Sequence, residues 1–224
     1  MRLIEGSFLA RLNRFVAEVE IGGVTVLAHV PSSGRMQELL TPGRRVLLAK
    51  SMRPGRKTDF GLRLVDMGGF YVSIDSILPN KLVHKSLKAG KLYGLEGYGK
   101  IIPEYPYLDS RFDFYLADPG ECFLEVKSVT LVEDGVARFP DAPTLRGTKH
   151  LEHLAGLRRL GVRAGVIFII QRQDAEIFEP NGKTDPDFAL ALRNAKASGV
   201  EIWAYTCKVT GQSVEIDREV PVKL

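Results

Sequence analysis

The chain has 224 residues, 45% of them apolar and 26% charged, with a formal net charge of +4. That length suits one large domain or two small ones, and the composition excludes a disordered or collagen-like chain. The longest apolar stretch, residues 164–170, is far too short for a membrane span. Glu5 and Gly6 stand where a signal peptide needs an apolar core, so a cytoplasmic protein with no membrane partner is expected. Cys122 and Cys207 form no Cys-x-x-Cys pair, which points to buried, reduced thiols in place of a structural zinc site.

Residues 1–79 read as a small β domain. Residues 8–20 form one long β-type segment, and short strands follow at 24–30, 45–49, 62–65 and 70–74. Gly22-Gly23 and Gly68-Gly69 mark turns between neighbours. Residues 33–40 resemble one or two helical turns before Pro42. Short strands so closely spaced suit a small closed barrel, which leaves no sheet edge exposed. Periodicity leaves open whether it is of the oligonucleotide-binding type. The whole positive excess lies here, with 11 Lys/Arg against 7 Asp/Glu in residues 1–79 and 20 against 20 in the remainder. Arg53, Arg56 and Lys57 belong to its densest run, and basic runs of this kind suit a polyanion.

Pro79-Asn80 punctuates the chain, and residues 80–224 form the second predicted domain. A short basic helix at 81–89 carries Lys81, Lys85 and Lys88, and a glycine-rich loop runs to Gly99. Strands are predicted at 101–105, 111–117 and 122–132, a helix at 144–160, a buried strand at 166–170, a helix at 186–197 and a strand at 200–206. Alternation of this kind indicates an α/β domain with a mixed central sheet, so the chain as a whole is of mixed α+β class. His150 and His153 stand three apart, not at the four-residue spacing of a zinc-protease helix, and read as a solvated helix face. Trp203 and Tyr205 read as core residues.

The chemistry concentrates in residues 111–116 and 122–127. Alternation puts Phe112, Phe114 and Leu116 on one strand face and Asp113 on the other. Glu125 and Lys127 share one face of the next strand, opposite Leu124 and Val126. In a hairpin, Asp113, Glu125 and Lys127 converge, and two carboxylates at close range need a hard cation between them. Magnesium or manganese on Asp113 and Glu125 is expected, with Glu104 as a further ligand. Lys127 is then placed to orient water or offset transition-state charge. This spacing is the signature of the PD-(D/E)XK nuclease superfamily. Gln171, at the end of a buried strand, is a fourth candidate catalytic residue. Arg146 and Lys149 share a helix face and suit phosphate contacts. Residues 139–143 suit a wall of the site.

Several segments together resemble the sugar fermentation stimulation protein A family, from about Leu9 to the C-terminus. They are Arg11-Leu12-Asn13-Arg14-Phe15, residues 29–36, Ser110-Arg111-Phe112-Asp113-Phe114, residues 125–131, Phe139-Pro140-Asp141-Ala142, residues 146–151 and residues 168–172. The resemblance implies an oligonucleotide-binding-type barrel, then a nuclease-like domain, and DNA as the partner. It departs at Ser32-Ser33 and at Leu108-Asp109, neither of which belongs to the carboxylate–lysine set. The barrel is expected to hold DNA through Arg14, Arg35, Arg53, Arg56 and Lys57, largely at phosphates, with Phe15 stacking on a base. The expected function is DNA binding with metal-dependent phosphodiester cleavage. The alternatives are a non-catalytic regulator of sugar, maltose-type, utilisation genes and a sugar- or nucleotide-binding module. The oligomeric state is left open.

Overall fold

The structure is a computed structural model, and it describes residues 3–50 and 58–224. The first unit comprises β1 (Ile4–Asn13), β2 (Val16–Ile21), β3 (Val24–His29), β4 (Arg45–Lys50), β5 (Phe60–Asp66) and β6 (Tyr71–Ser73). β1 pairs with β2 and β4, β2 with β3, and β4 with β5, all antiparallel; a parallel seam of Ala28↔Phe60 and His29↔Gly61 joins β3 to β5. The ring closes in the order 1-2-3-5-4-1, an oligonucleotide-binding-type barrel. Phe8, Ala17, Val19, Leu48 and Leu62 fill it.

The single strand expected over residues 8–20 is a hairpin instead. Its turn at Arg14-Phe15 holds neither glycine nor proline; the Asn13 side chain accepts the Phe15 N–H at 2.9 Å and closes the turn in their place. Two barrel leucines, Leu47 and Leu64, face outward and join Leu82, Leu124, Ile167 and Tyr205 in a core shared with the second unit.

α1 (Leu78–Lys88) follows β6. Pro79 lies in the first turn of this helix and does not precede it, because that turn has no use for its missing N–H. The second sheet is built from β7 (Lys100–Tyr107), β8 (Ser110–Ala117), β9 (Glu121–Val129), β12 (Arg163–Ile170), β14 (Glu201–Val209) and β15 (Val214–Glu219). Between them lie the short strands β10 (Val132–Glu133), β11 (Val136–Phe139) and β13 (Ile177–Pro180), and the helices α2 (Leu145–Arg159) and α3 (Pro186–Ala197). The order is β15-β14-β12-β9-β8-β7, with β9, β12 and β14 parallel and the outer pairs antiparallel. α2 and α3 cover one face through Leu151, Leu154, Phe188 and Leu192, which pack on Phe168 of β12; α1 and the barrel cover the other. Trp203 and Tyr205 lie in the second of these cores. A Cβ at Gly165 would come within 2.4 Å of the Trp203 ring, so that contact requires glycine. Among the described residues, no helix is long and apolar enough to cross a membrane.

Candidate functional site

The β8–β9 hairpin pairs from Ala117↔Glu121 to Phe114↔Leu124 and then parts. Asp113 sits where the strands separate. Its Oδ2 accepts the Val126 N–H at 2.7 Å, taking the role a strand carbonyl would fill, and its Oδ1 accepts from Asn80 Nδ2 at 2.6 Å. On the other flank the β7–β8 ladder steps from Pro103↔Phe114 to Tyr105↔Phe112, and Glu104 between them is in the left-handed region at φ +55. β8 turns over at this point. Phe112 packs in the α2–α3 core while Phe114 and Leu116 pack toward α1 and the barrel, which corrects the expectation that the three share a face.

One turn of chain away, Glu125 is 4% exposed. Its Oε1 lies 2.6 Å from Lys127 Nζ and 2.5 Å from His150 Nδ1, while its Oε2 is buried with no hydrogen-bond partner. Burial, then repulsion from Glu125, pushes the Asp113 carboxyl up to about 6. Burial also pushes Glu125 upward, but Lys127 and His150 together outweigh it and hold that carboxyl below its ordinary value.

His150 was expected on a solvated face, and the structure corrects this: it is buried. The signal was present in the sequence, because His150 falls three residues after Gly147 and four before Leu154, inside the buried stripe of α2. Arg146 Nε donates to His150 Nε2 at 3.4 Å, and His150 Nδ1 faces Glu125 Oε1 at close range outside hydrogen-bond geometry. Asn80, too, was missed; no periodicity links the first turn of a helix to a carboxylate 33 residues on.

The other expected residues fall in several places. Glu104 is exposed, and its carboxylate lies 3.8 Å from Arg111. Among the described residues no three His, Cys, Asp or Glu side chains gather as a metal cage, so Glu104 does not complete one. Gln171 is fully buried and its amide is taken at both ends: Oε1 accepts from Ser73 Oγ at 2.8 Å, and Nε2 donates to Ser128 Oγ at 2.9 Å. It bolts the barrel to β9. Arg14 and Arg35 are exposed on the barrel loops, and Phe15 is 47% exposed and stacked on His29, outside the barrel core. Lys149 is paired with Asp109 at 2.5 Å. Arg53, Arg56 and Lys57 lie outside the described residues.

Two clefts reach the groups around the carboxylates, one at Lys127 and one at His150, and neither is lined by Asp113 or Glu125 themselves. One, of about 340 Å³, runs between barrel and sheet past Arg14, Lys127, Arg138 and the 139–143 loop. The other, of about 760 Å³, lies on the His150 side between Glu104, Arg111, Arg146 and Lys149. The donor set suits a hard divalent cation with two carboxylate ligands and a shell otherwise of water. The unpartnered Oε2 of Glu125 is the observation that fits it.

Fold and site define a class: an oligonucleotide-binding-type barrel joined through a shared core to a mixed-sheet α/β domain bearing Asp113, Glu125 and Lys127. The profile described as "SfsA N-terminal OB domain" matches residues 9–74, and "Sugar fermentation stimulation protein RE domain" matches residues 77–213. The chain belongs to the sugar fermentation stimulation protein family. It is 49% identical over 224 residues to the homolog of that name from Acetivibrio thermocellus, covering 98% of this chain and 96% of the other. The Desulforamulus reducens homolog is 48% identical, with 99% and 93% covered. The solved structure of Pyrococcus furiosus SfsA in complex with Ca2+ superposes with a TM-score of 0.91 at 33% identity, covering 100% of this chain and 96% of that one.

Proposed function

We propose that the protein binds DNA and cleaves phosphodiesters with magnesium or manganese held by Asp113 and Glu125. One observation carries the reading: a buried carboxylate oxygen of Glu125 has no partner, beside a second carboxyl that burial and repulsion keep from ionising at its ordinary pH. Two anions so placed are relieved by a hard cation. The Pyrococcus furiosus relative, solved with Ca2+, supports a cation of that class. When bound, the metal supplies Lewis-acid polarisation of a phosphoryl oxygen and a more acidic water.

The chain's own groups do the rest. His150 and Lys127 hold Oε1 of Glu125 and leave Oε2 for the cation. Lys127 also lines the cleft toward Arg14, where its ammonium offsets negative charge growing on a phosphoryl group. Arg14 and Arg35 contact phosphates, Phe15 offers a face to a base, and Arg146 turns the far cleft positive.

Asp113→Asn keeps shape and removes charge. It should lower metal-dependent cleavage by at least about 100-fold, the scale of losing one transition-state stabiliser, with gel-shift affinity retained. Lys127→Ala should lose cleavage while calorimetry still shows the cation binding. Equal cleavage by wild type and Asp113→Asn would place the activity elsewhere. A second reading, a DNA-binding regulator without catalysis, draws on the pairing that already satisfies Oε1 of Glu125. It prevails if wild type binds DNA, cleaves none and takes up no cation.

A further inference from the structure

Resting on the DNA-binding reading above, we infer that the solvent face of α1 is a track for single-stranded DNA, with Lys81, Lys85 and Lys88 on its phosphates and Tyr93 under one of its bases. These lysines stand at i, i+4 and i+7, so a 3.6-residue turn puts them within about 60° of one another. Leu82, Val83 and Leu87 bury the opposite face, which leaves the stripe squarely in solvent. α1 contains no acidic residue, and among the described residues the three ammonium groups have no ion-pair partner. Other cations of the sheet domain do pair with acids, as in Lys100–Asp118, Lys149–Asp109, Arg163–Glu201 and Arg172–Asp174. Exposed lysines such as Lys183, Lys196 and Lys208 stand apart from one another; what sets the stripe apart is three unpaired ammonium groups on one helix face.

The stripe starts beside the carboxylates, because Asn80 in the same first turn donates to Asp113. From there it runs about 10 Å, at 1.5 Å per residue, to Lys88. Lys91 and Tyr93 follow directly, and Tyr93 is 82% exposed with no aromatic partner. An open ring beyond a row of cations suits a strand whose bases are free to stack; a duplex offers no such face.

The test is fluorescence anisotropy of a labelled oligo-dT against salt, in EDTA so that nothing is cleaved. Lys81, Lys85 and Lys88 all changed to Gln should weaken binding and reduce the log–log salt slope by about 2, at about 0.7 per phosphate contact. The control changes Lys183, Lys196 and Lys208 to Gln, removing equal charge from exposed sites elsewhere, and should leave the slope unchanged. Tyr93→Ala should weaken binding about tenfold with no change of slope. Equal losses in stripe and control variants, or a stripe variant that binds like wild type, overturn the track. Loss of duplex binding alone overturns the single-strand assignment. Wild type that binds no DNA at any salt overturns the functional reading itself.

Discussion

Asp113 carries its own pH signature. Its carboxyl is displaced from 3.8 in the unfolded chain up to about 6 in the fold, by burial and then by Glu125. Between those values the native state binds the extra proton, so this group's contribution to stability falls as pH rises through that window, by an amount on the order of 3 kcal/mol. A cation that binds only the folded state reverses the loss above the window. In EDTA, the melting temperature of wild type relative to Asp113→Asn should therefore drop between pH 4 and 6.5. Magnesium should restore it at pH 7 and leave it unchanged at pH 4; a difference that does not vary with pH would mean the carboxyl ionises freely. At this scale the sequence was legible where one strand's alternation sufficed, as for Glu125 and Lys127. It was not legible where contacts come from remote elements, as for Asn80 on Asp113 and Ser73 on Gln171.

Elements were legible in proportion to their length and local signals. α2 and α3 announce themselves through Thr144 and Asp185 ahead of apolar stripes, and both residues cap as their positions suggest: Thr144 Oγ1 accepts from Gly147 N at 3.1 Å, and Asp185 Oδ1 from Phe188 N at 2.9 Å. Asp185 does more, since its Oδ2 also accepts the Thr144 N–H at 2.8 Å and ties the two helix starts together. Asp185→Ala should therefore cost about 2 kcal/mol or more, at the upper end for a cap, and more than Thr144→Ala, as read from urea melts. Equal costs would mean the tie adds nothing. The strand predicted over 122–132 breaks after Val129, and β10, β11 and β13 are too short to show a period. The turn at Arg14-Phe15 escaped because a side chain, not glycine, makes it.

At the scale of the molecule, barrel and sheet meet through several contacts, among them the Met36 N–H on Asp141, the Gln171 bridge and a shared leucine core. Gln171 links Ser73 to Ser128 by its side chain, and its backbone C=O accepts the Ser73 N–H at 3.0 Å. Leu47 and Leu64 place barrel side chains in the core of the neighbouring sheet. Gln171→Leu strands the buried Ser73 hydroxyl and the half-buried Ser128 hydroxyl and should cost about 1–3 kcal/mol, yet the shared leucine core should keep unfolding to one transition by calorimetry. Two separated transitions would show that the bolt alone couples the halves. The shared core also has a history during synthesis. Leu64 leaves the ribosome about 100 residues before Ile167, which is roughly 5–20 s at ordinary elongation rates. Over that interval the nascent barrel has every strand it needs to close, but only α1 and the β8–β9 hairpin have emerged to cover its outer leucines. For those seconds the patch stays partly in water, and the central parallel strands β12 and β14 arrive last to complete the shared core.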